Sequence, residues 1–218
     1  KARARDPISA KLVANLITTA GADRVLTMDL HVPQLQGFFD IPVDHLLGVP
    51  LLAQYYKEKF ISMEDVITVS PDIGSVGRCR KFAEKLDIPI AIIDKRRPKA
   101  NVSEIMNIIG DVRGKRVILV DDLIDTGGTL VNAAKALQDM GATEVHACCT
   151  HAVLSGPAIE RIVNSNLVEL VMLNTIPLND KVNVPCIKVL SVAGIFAEAI
   201  ERIYGDISIS TLFTQQDE

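Results

Sequence analysis

The sequence predicts an α/β protein in which parallel β-sheets are flanked by helices. Short runs of β-branched residues alternate with amphipathic stretches of helical length, which is the pattern of successive βαβ units. Runs such as residues 117–120 are apolar throughout, as expected for a strand whose sheet is covered on both faces. With 218 residues, 48% of them hydrophobic, the chain can bury one large core or two smaller ones.

The predicted strands and helices alternate along the chain. The strands are the short apolar runs, and the helices are the longer amphipathic stretches between them. The predicted strands are residues 24–28, 66–69, 90–93, 117–120, 145–149, 167–173 and 187–190. The predicted helices are residues 9–20, 50–60, 75–86, 128–140, 157–165 and 193–204.

Residues 38–45 interrupt this alternation and are the best candidate for a domain boundary. The part of the chain before them contains only one predicted helix and one predicted strand, which is too little to fold alone. It therefore needs further sequence or packing from elsewhere.

Composition and charge exclude several classes of protein. A formal net charge of −4 and a pI near 5.6 give no overall attraction to nucleic acid or membrane. No apolar run is long enough to span a bilayer, and no signal sequence is visible. The four cysteines form no C-x-x-C pair and are typical of buried thiols in a reducing compartment. These observations predict a cytoplasmic protein.

Residues 120–129 are the most informative segment, because a predicted buried strand ends there in two carboxylates and turns into a helix. Ligands of open α/β sheets bind beyond the carboxyl ends of strands, where Asp121 and Asp122 are predicted to lie. Carboxylates at that place can accept hydrogen bonds from the vicinal hydroxyls of a ribose. Gly127 and Gly128 allow backbone N–H groups to approach a phosphate, and the following helix adds the positive end of its dipole.

The same segment could be only a strand–turn–helix connection with a capping residue. Thr126 and Thr129 can supply hydroxyl donors, but they would also suit such a cap. Three acidic residues precede the glycines, however, and two of them adjoin each other at the end of an apolar strand. Since unpaired carboxylates are costly to desolvate, the pattern favours a bound ligand or metal.

A second strand end has the same character in residues 69–78. Asp72 follows a predicted strand, and Gly74 and the start of a helix come next. Asp72 could be a helix N-cap. The alternative is a second contact for a phosphate or metal.

A third strand end carries four cations within five residues, namely Lys95, Arg96, Arg97 and Lys99. Such a cluster is usually a solvated loop. Because these cations repel each other, an anionic ligand would stabilise them, and Pro98 with the polar residues after it is typical of a segment that orders on substrate binding.

Residues 121–129 resemble the phosphoribosyl pyrophosphate-binding signature of type I phosphoribosyltransferases and their relatives, and differ from the P-loop. Residues 29–44, Asp-Leu-His-Val-Pro-Gln-Leu-Gln-Gly-Phe-Phe-Asp-Ile-Pro-Val-Asp, resemble the signature of the ribose-phosphate pyrophosphokinases. The resemblance extends over essentially the whole chain, including residues 150–158 and 208–213.

This resemblance implies a fold like that of the type I phosphoribosyltransferases, with one complete domain and part of a second. Residues 1–45 would be a remnant of the N-terminal domain, and residues 46–193 the C-terminal domain that binds ribose 5-phosphate. Residues 194–218 would be a helix and tail that pack back on the N-terminal domain. Members of the family carry roughly another hundred residues upstream.

The family reaction moves a pyrophosphoryl group from ATP to the anomeric hydroxyl of ribose 5-phosphate and releases AMP, which supplies nucleotide biosynthesis. The resemblance therefore implies ATP as co-substrate and Mg²⁺ as cofactor. It makes Lys95 and Arg97 catalytic, and it assigns the metal to His31 and Asp72. Asp72 and Gly74 would form a pyrophosphate loop. The implied ribose 5-phosphate-binding residues are Asp121, Asp122, Asp125, Thr126, Gly127, Gly128 and Thr129.

The resemblance also implies regulation by ADP or phosphate at subunit contacts of a homo-oligomer, a hexamer in the family. For Ser208 and Ser210, a simple serine-capped turn near the C-terminus is an equally good interpretation. The candidate effector-binding residues are Lys1, Arg3, Gln36, Asp44, Ser208 and Ser210.

Three other functions compete with this one. A phosphoribosyltransferase uses the same sugar-phosphate loop but has no need of residues 29–44 or of an ATP site. A non-catalytic regulatory relative would be expected to lose the acidic loop or the cationic segment, and both are intact here. A nucleic-acid-binding protein would need aromatic platforms, but the chain has no Trp and three Tyr.

Overall fold

The chain forms two compact units in the computed structural model, Lys1–Leu47 and Gly48–Glu218. The structure describes residues 8–96, 105–178 and 184–214, with the backbone alone at residues 95, 96, 105, 106, 213 and 214. The predicted division at residues 45 and 193, and the predicted packing of residues 194–218, stay predictions. Within the described ranges, no helix is both long enough and apolar enough to cross a membrane.

The first unit contains one long helix and a parallel pair of short strands. Its elements are α1 (Ser9–Thr19), β1 (Val25–Met28), a 3₁₀ helix (Pro33–Phe38) and β2 (Val43–Leu46). The strands pair in parallel from Val25 with Val43 to Met28 with Leu46. The sequence predicted α1 and β1. It did not predict β2, which begins within the interruption at residues 38–45, or the 3₁₀ helix, which begins before that interruption.

The second unit is built on a seven-stranded sheet with the order β5-β4-β3-β6-β7-β8-β9. Every neighbouring pair is parallel except β4 and β5, which are antiparallel. The α/β class with a largely parallel sheet is therefore confirmed. The strands are β3 (Val66–Ser70), β4 (Ile90–Arg96), β5 (Ile105–Ile109), β6 (Arg116–Ile124), β7 (Glu144–Ala152), β8 (Glu169–Leu173) and β9 (Ile187–Leu190).

Helices α2 and α3 pack together against strands β3, β4, β6, β7 and β8, while α4 and α5 pack together and α4 contacts β6 and β7. Apolar residues of α4 such as Leu137 share one buried cluster with Val117, Leu119 and Ala147 of the sheet. All five residues of β3 are buried, as predicted for a strand covered on both faces. The helices are α2 (Val49–Lys59), α3 (Val76–Leu86), α4 (Gly128–Asp139), α5 (Ala158–Val163), α6 (Ala193–Tyr204) and α7 (Thr211–Thr214).

Strand β6 corrects one prediction that bears on the site. The sequence predicted that the strand ends at Val120, so that Asp121 and Asp122 lie beyond it. The strand instead continues to Ile124, because pairing with β7 continues past both carboxylates to Ile124 opposite Ala152. The two aspartates therefore lie within the strand, and the loop begins at Asp125.

Strand β4 also continues past its predicted end at residue 93, as far as Arg96. It is held there by β5, a strand that the sequence did not predict. Arg96 is the register partner of Ile105.

Candidate functional site

Two adjacent carboxylates on β6 lie beside a guanidinium of α3. The Arg78 Nη1 atom is 3.3 Å from Asp122 Oδ1 and 4.0 Å from Asp121 Oδ1. The side chain of Asp122 is only 7% exposed. The sequence predicts that these carboxylates are unpaired until a ligand or metal binds. That was wrong for Asp122, because α3 packs its Arg78 against the strand.

Asp121 is held by short-range hydrogen bonds as well. Its Oδ1 accepts hydrogen bonds from the Ser75 hydroxyl at 3.3 Å and from the Asp122 backbone N–H at 2.9 Å. Burial raises the pKa of Asp121 to about 7, and the side chain of Asp122 and the charge of Asp72 act in the same direction. The site therefore has an excess of negative charge, which suits hydroxyl donors or a cation.

Asp72 lies just after β3, at the same edge of the sheet. Its Oδ1 accepts a hydrogen bond from the Ser75 backbone N–H at 2.8 Å, and the Ser70 hydroxyl donates to the Asp72 carbonyl at 2.6 Å. The interpretation of Asp72 as the helix N-cap is wrong, because the N-cap of α3 is Ser75 and the helix has no side-chain cap; the first of these bonds instead closes the loop before the helix. A Cβ on Gly74 would lie 3.3 Å from Asp72 Oδ1, so the absence of a side chain there lets the loop close around the carboxylate.

The loop after β6 has the form of an anion-binding cradle. Gly127 precedes α4 with a φ of +71°, and a Cβ on it would lie 3.4 Å from the Ala158 carbonyl oxygen. Helix α4 begins without a side-chain cap, so side chains leave the N–H groups of its first turn to other acceptors. Asp125, Thr126 and Thr129 are exposed around it.

The cradle is anchored by the segment that follows β7. The Val153 and Leu154 N–H groups donate to the Ile124 carbonyl at 3.0 and 3.1 Å, and the Ser155 N–H donates to the Asp125 carbonyl at 3.0 Å. Arg161 of α5 adds a further bond, from its Nη1 atom to the Thr126 carbonyl at 2.9 Å. These hydrogen bonds hold the loop through its carbonyl groups, while its N–H groups stay available for a ligand.

Of the two predicted catalytic residues, only the backbone of Lys95 is described. Lys95 is part of β4, next to β3 in the sheet, but its side chain lies outside the described residues. Arg97 lies outside them entirely. Arg96, whose backbone is described, ends β4 on the sheet edge at which Asp72 follows β3.

Comparison with known proteins identifies the family. A family model described as phosphoribosyl synthetase-associated domain matches residues 98–214, more than half of the chain. A ribose-phosphate pyrophosphokinase of Clostridium acetobutylicum is 68% identical over 216 residues, 99% of this chain and 68% of that protein. One of Bacillus caldolyticus is 61% identical over 213 residues, 98% of this chain and 67% of that protein. This chain belongs to the ribose-phosphate pyrophosphokinase family.

A solved structure agrees with this pyrophosphokinase assignment. The crystal structure of phosphoribosylpyrophosphate synthetase from Mycobacterium smegmatis matches with a TM-score of 0.87 at 43% identity. The match covers 94% of this chain and 67% of the Mycobacterium smegmatis chain. The family predicted from residues 29–44 and 121–129 is therefore confirmed.

The remaining predicted residues of this pyrophosphokinase lie in two places. His31 is exposed, three residues after the end of β1, in the first unit, so its shared role with Asp72 stays a prediction. Gln36 donates to the Pro33 carbonyl at 3.1 Å, and Asp44 is paired with Arg24. Both contacts lie within the first unit, and binding of an effector by Gln36 or Asp44 stays a prediction.

The candidate effector residues near the C-terminus contact each other. The hydroxyl oxygens of Ser208 and Ser210 are 2.7 Å apart, and Arg202 donates to the Ser208 carbonyl at 3.3 Å. This is the local turn that the simpler interpretation predicts, and binding of an effector stays a prediction. Lys1 and Arg3 lie outside the described residues.

The sequence did not predict three residues that contact the candidate site, namely Ser75, Arg78 and Arg161. A signal existed for Arg78, since two buried carboxylates need a cation and Arg78 is the first one in the helix after the Asp72 loop. No local signal pointed to Arg161, which lies 35 residues from Thr126 along the chain.

Proposed function

We propose that this chain transfers a pyrophosphoryl group from ATP to ribose 5-phosphate and produces phosphoribosyl pyrophosphate and AMP. The observation that carries this proposal is that the chain belongs to the ribose-phosphate pyrophosphokinase family. The cradle and the acidic pair, which lie together on β6 and its loop, are consistent with that activity. In the reaction, the anomeric hydroxyl oxygen bonds to the β-phosphorus, the bond from that phosphorus to the oxygen of AMP breaks, and the hydroxyl proton is lost.

Ribose 5-phosphate would bind along β6 and its loop. The N–H groups of Gly127, Gly128 and Thr129 would hold the 5-phosphate, with hydroxyl donors from Thr126 and Thr129. Asp121 and Asp122 would accept hydrogen bonds from the ribose hydroxyls, directly or through a metal. Because Arg78 already pairs with Asp122, we expect Asp121 to be the carboxylate with more capacity for the sugar.

The ATP side would use the ends of β3 and β4, which lie on one side of β6 in the sheet. We propose that Lys95 and Arg97 neutralise the charge that develops around the β-phosphorus, a role worth about 10³-fold in rate for well-placed cations. Asp72 and Gly74 would border the pyrophosphate. Such transfers depend on positioning and charge stabilisation rather than on a covalent protein intermediate.

The donor set suits magnesium as the cofactor. In the described residues, no three His, Cys, Asp or Glu side chains are grouped so as to hold a metal by themselves. A magnesium ion that bridges phosphates needs only one or two protein ligands, and carboxylate oxygens are of the kind it prefers. Asp72, with His31 as the second candidate, would hold it, and bound magnesium would reduce the negative charge of the ATP phosphates.

The wider biology of the chain is part of the same proposal. We infer a cytoplasmic homo-oligomer, a hexamer by resemblance, that is regulated by ADP or phosphate and has no nucleic-acid or membrane partner. Phosphate activation that survives Ser208→Ala combined with Ser210→Ala would remove these serines from the effector site.

Two assays test the proposal. Calorimetry first measures whether the chain binds ribose 5-phosphate. Chromatography then measures AMP released from ATP, which should require both ribose 5-phosphate and magnesium and should match the phosphoribosyl pyrophosphate formed. Asp121→Asn should weaken sugar-phosphate binding about tenfold, whereas Asp139→Asn, at the far end of α4, should leave it unchanged.

The same assays separate the competing functions. A phosphoribosyltransferase would consume phosphoribosyl pyrophosphate with a nucleobase and would release no AMP from ATP. A regulatory relative would bind ribose 5-phosphate without forming AMP under any condition. Either result would contradict the proposed activity while leaving the cradle intact.

A further inference from the structure

Arg161 of α5 lies against the back of the phosphate cradle. Its Nη1 atom donates to the Thr126 carbonyl at 2.9 Å. Among the described residues, no carboxylate forms an ion pair with Arg161, although its side chain carries a full positive charge. The guanidinium is therefore directed at a backbone carbonyl of the loop rather than neutralised by an acid.

This bond fixes the direction of a peptide plane. No cis peptide bond occurs in the described chain, and in a trans peptide the carbonyl and the following N–H point in opposite directions. A guanidinium that holds the Thr126 carbonyl toward α5 therefore turns the Gly127 N–H away from α5, to the other side of the loop. The charge on the donor also polarises the peptide and makes that N–H a stronger donor.

The Gly127 N–H has no acceptor within the described part of the chain. Gly127 itself is buried, so this N–H is a backbone donor that the fold leaves for something else. An anion at the cradle would satisfy it.

Both glycines of the cradle are explained by contacts with the same helix. A Cβ on Gly127 would lie 3.4 Å from the Ala158 carbonyl oxygen, and a Cβ on Gly128 would lie 3.3 Å from Arg161 Nη1. Ala158 and Arg161 are three residues apart and so face the same side of α5. A side chain at residue 128 would therefore crowd the guanidinium that donates to the Thr126 carbonyl.

We propose that Arg161 is a positioning residue that locks the Thr126–Gly127 peptide with its N–H directed at the 5-phosphate. It acts through the backbone and does not itself contact the ligand. The proposal rests on the proposed function, since it assigns the phosphate of ribose 5-phosphate to this loop.

The test is a double-variant cycle read by calorimetry with ribose 5-phosphate and, separately, with inorganic phosphate. Arg161→Met removes the donor but keeps an unbranched side chain, and Gly128→Ala keeps the positive charge but places a methyl group 3.3 Å from Arg161 Nη1, so that the guanidinium must shift slightly. Arg161→Met should raise the Kd for ribose 5-phosphate about tenfold, the loss expected for one charge-assisted, orienting hydrogen bond, and Gly128→Ala should raise it by less. Gly128→Ala combined with Arg161→Met should be no worse than Arg161→Met alone, since the bond that the methyl group crowds is then absent.

Arg161→Lys should recover much of the affinity, because its ammonium can still donate to the carbonyl. Arg80→Met, an exposed arginine of α3, is the matched control and should change nothing. In steady-state kinetics, Arg161→Met should raise KM for ribose 5-phosphate while kcat and KM for ATP stay unchanged. A merely structural role would instead lower the fraction of binding-competent protein at constant Kd.

Several outcomes would overturn the proposal. Additive losses in the double variant would mean that Arg161 and residue 128 act independently and not through the bond to the Thr126 carbonyl. Unchanged affinity in Arg161→Met would mean that it has no role in binding. If Arg161→Met does not fold, the comparison of Gly128→Ala with Arg161→Lys decides in the same way. Failure of the unaltered chain to bind ribose 5-phosphate would instead contradict the proposed function.

Discussion

Arg78 explains how two adjacent carboxylates can lie within a covered strand of the sheet. A carboxylate as buried as that of Asp122 is costly to leave ionised without a partner, and the guanidinium 3.3 Å away offsets that cost. Asp121 is farther from Arg78, at 4.0 Å, and burial together with the neighbouring carboxylates raises its pKa to about 7. The pair is therefore unequal, with one member committed to the fold and the other more available to a ligand.

This inequality leads to a prediction about stability. Arg78→Met should reduce the free energy of unfolding by about 3 kcal/mol, because it removes the guanidinium that pairs with the buried Asp122 carboxylate. Arg78→Met combined with Asp122→Asn should regain most of that loss, since the buried charge is then absent. Urea denaturation at neutral pH measures both. A double variant no more stable than Arg78→Met would show that the arginine stabilises the fold by packing rather than by pairing.

The cations at the end of β4 lead to a kinetic prediction. Lys95→Ala or Arg97→Ala should lower kcat for AMP formation by about 10³-fold, because their charge is needed most when the β-phosphorus is attacked. The Kd for ribose 5-phosphate should change far less, since the cradle lies after β6. Initial rates and calorimetry on the same variants make the comparison. Equal losses in rate and in sugar binding would contradict a transition-state role.

The secondary-structure elements that the sequence predicted are those that depend on local residue patterns. All six predicted helices form, and α6 has the predicted bounds of residues 193 and 204. The carboxylates and glycines of the cradle were predicted because they adjoin an apolar run. Strand β5 and the last residues of β6 were not, because both depend on pairing with a neighbouring strand. Arg78 and Arg161 were missed for the same reason, since their partners are distant along the chain.

Strand β7 contains a buried histidine, His146, near its amino end, and protonation of this histidine opposes folding. His146 is 1% exposed, packs at 5.2 Å from the Phe60 ring centroid, and contacts Glu144 at 3.0 Å through Nε2. Burial lowers its pKa, while Glu144 and Glu169 raise it and Lys59 lowers it. Its Nδ1 has no hydrogen-bond partner within the described chain.

This histidine predicts how stability depends on pH. The pKa of His146 is lowered in the folded state, so the unfolded chain binds more protons than the folded chain just below pH 6.5. The contribution of the histidine to stability therefore decreases as the pH is lowered through that range. We expect His146→Phe, which keeps an aromatic ring beside Phe60, to lose less stability than the unaltered chain when the pH falls from about 7.5 to about 5.5. Urea denaturation at the two pH values measures this, and an equal fall in both proteins would contradict it.

The residues proposed to bind the sugar phosphate and His31, proposed to help bind magnesium, belong to different units of the chain. Every described residue of the cradle and the acidic pair, from Asp72 to Arg161, belongs to Gly48–Glu218, and so does the large buried cluster of the sheet. His31, which is predicted to help hold magnesium, belongs to Lys1–Leu47. Sugar-phosphate binding and metal-dependent transfer should therefore respond differently when the units are separated.

We predict that residues 48–218, prepared alone, fold and bind ribose 5-phosphate within about threefold of the whole chain, because the binding loop and its supporting helices are all present. AMP formation should be lost, since His31 is absent. Circular dichroism establishes folding, calorimetry measures binding, and Asp121→Asn in the same piece provides the control for specific binding. A folded piece that binds more than about tenfold more weakly than the whole chain would show that residues 1–47 also shape the sugar-phosphate site.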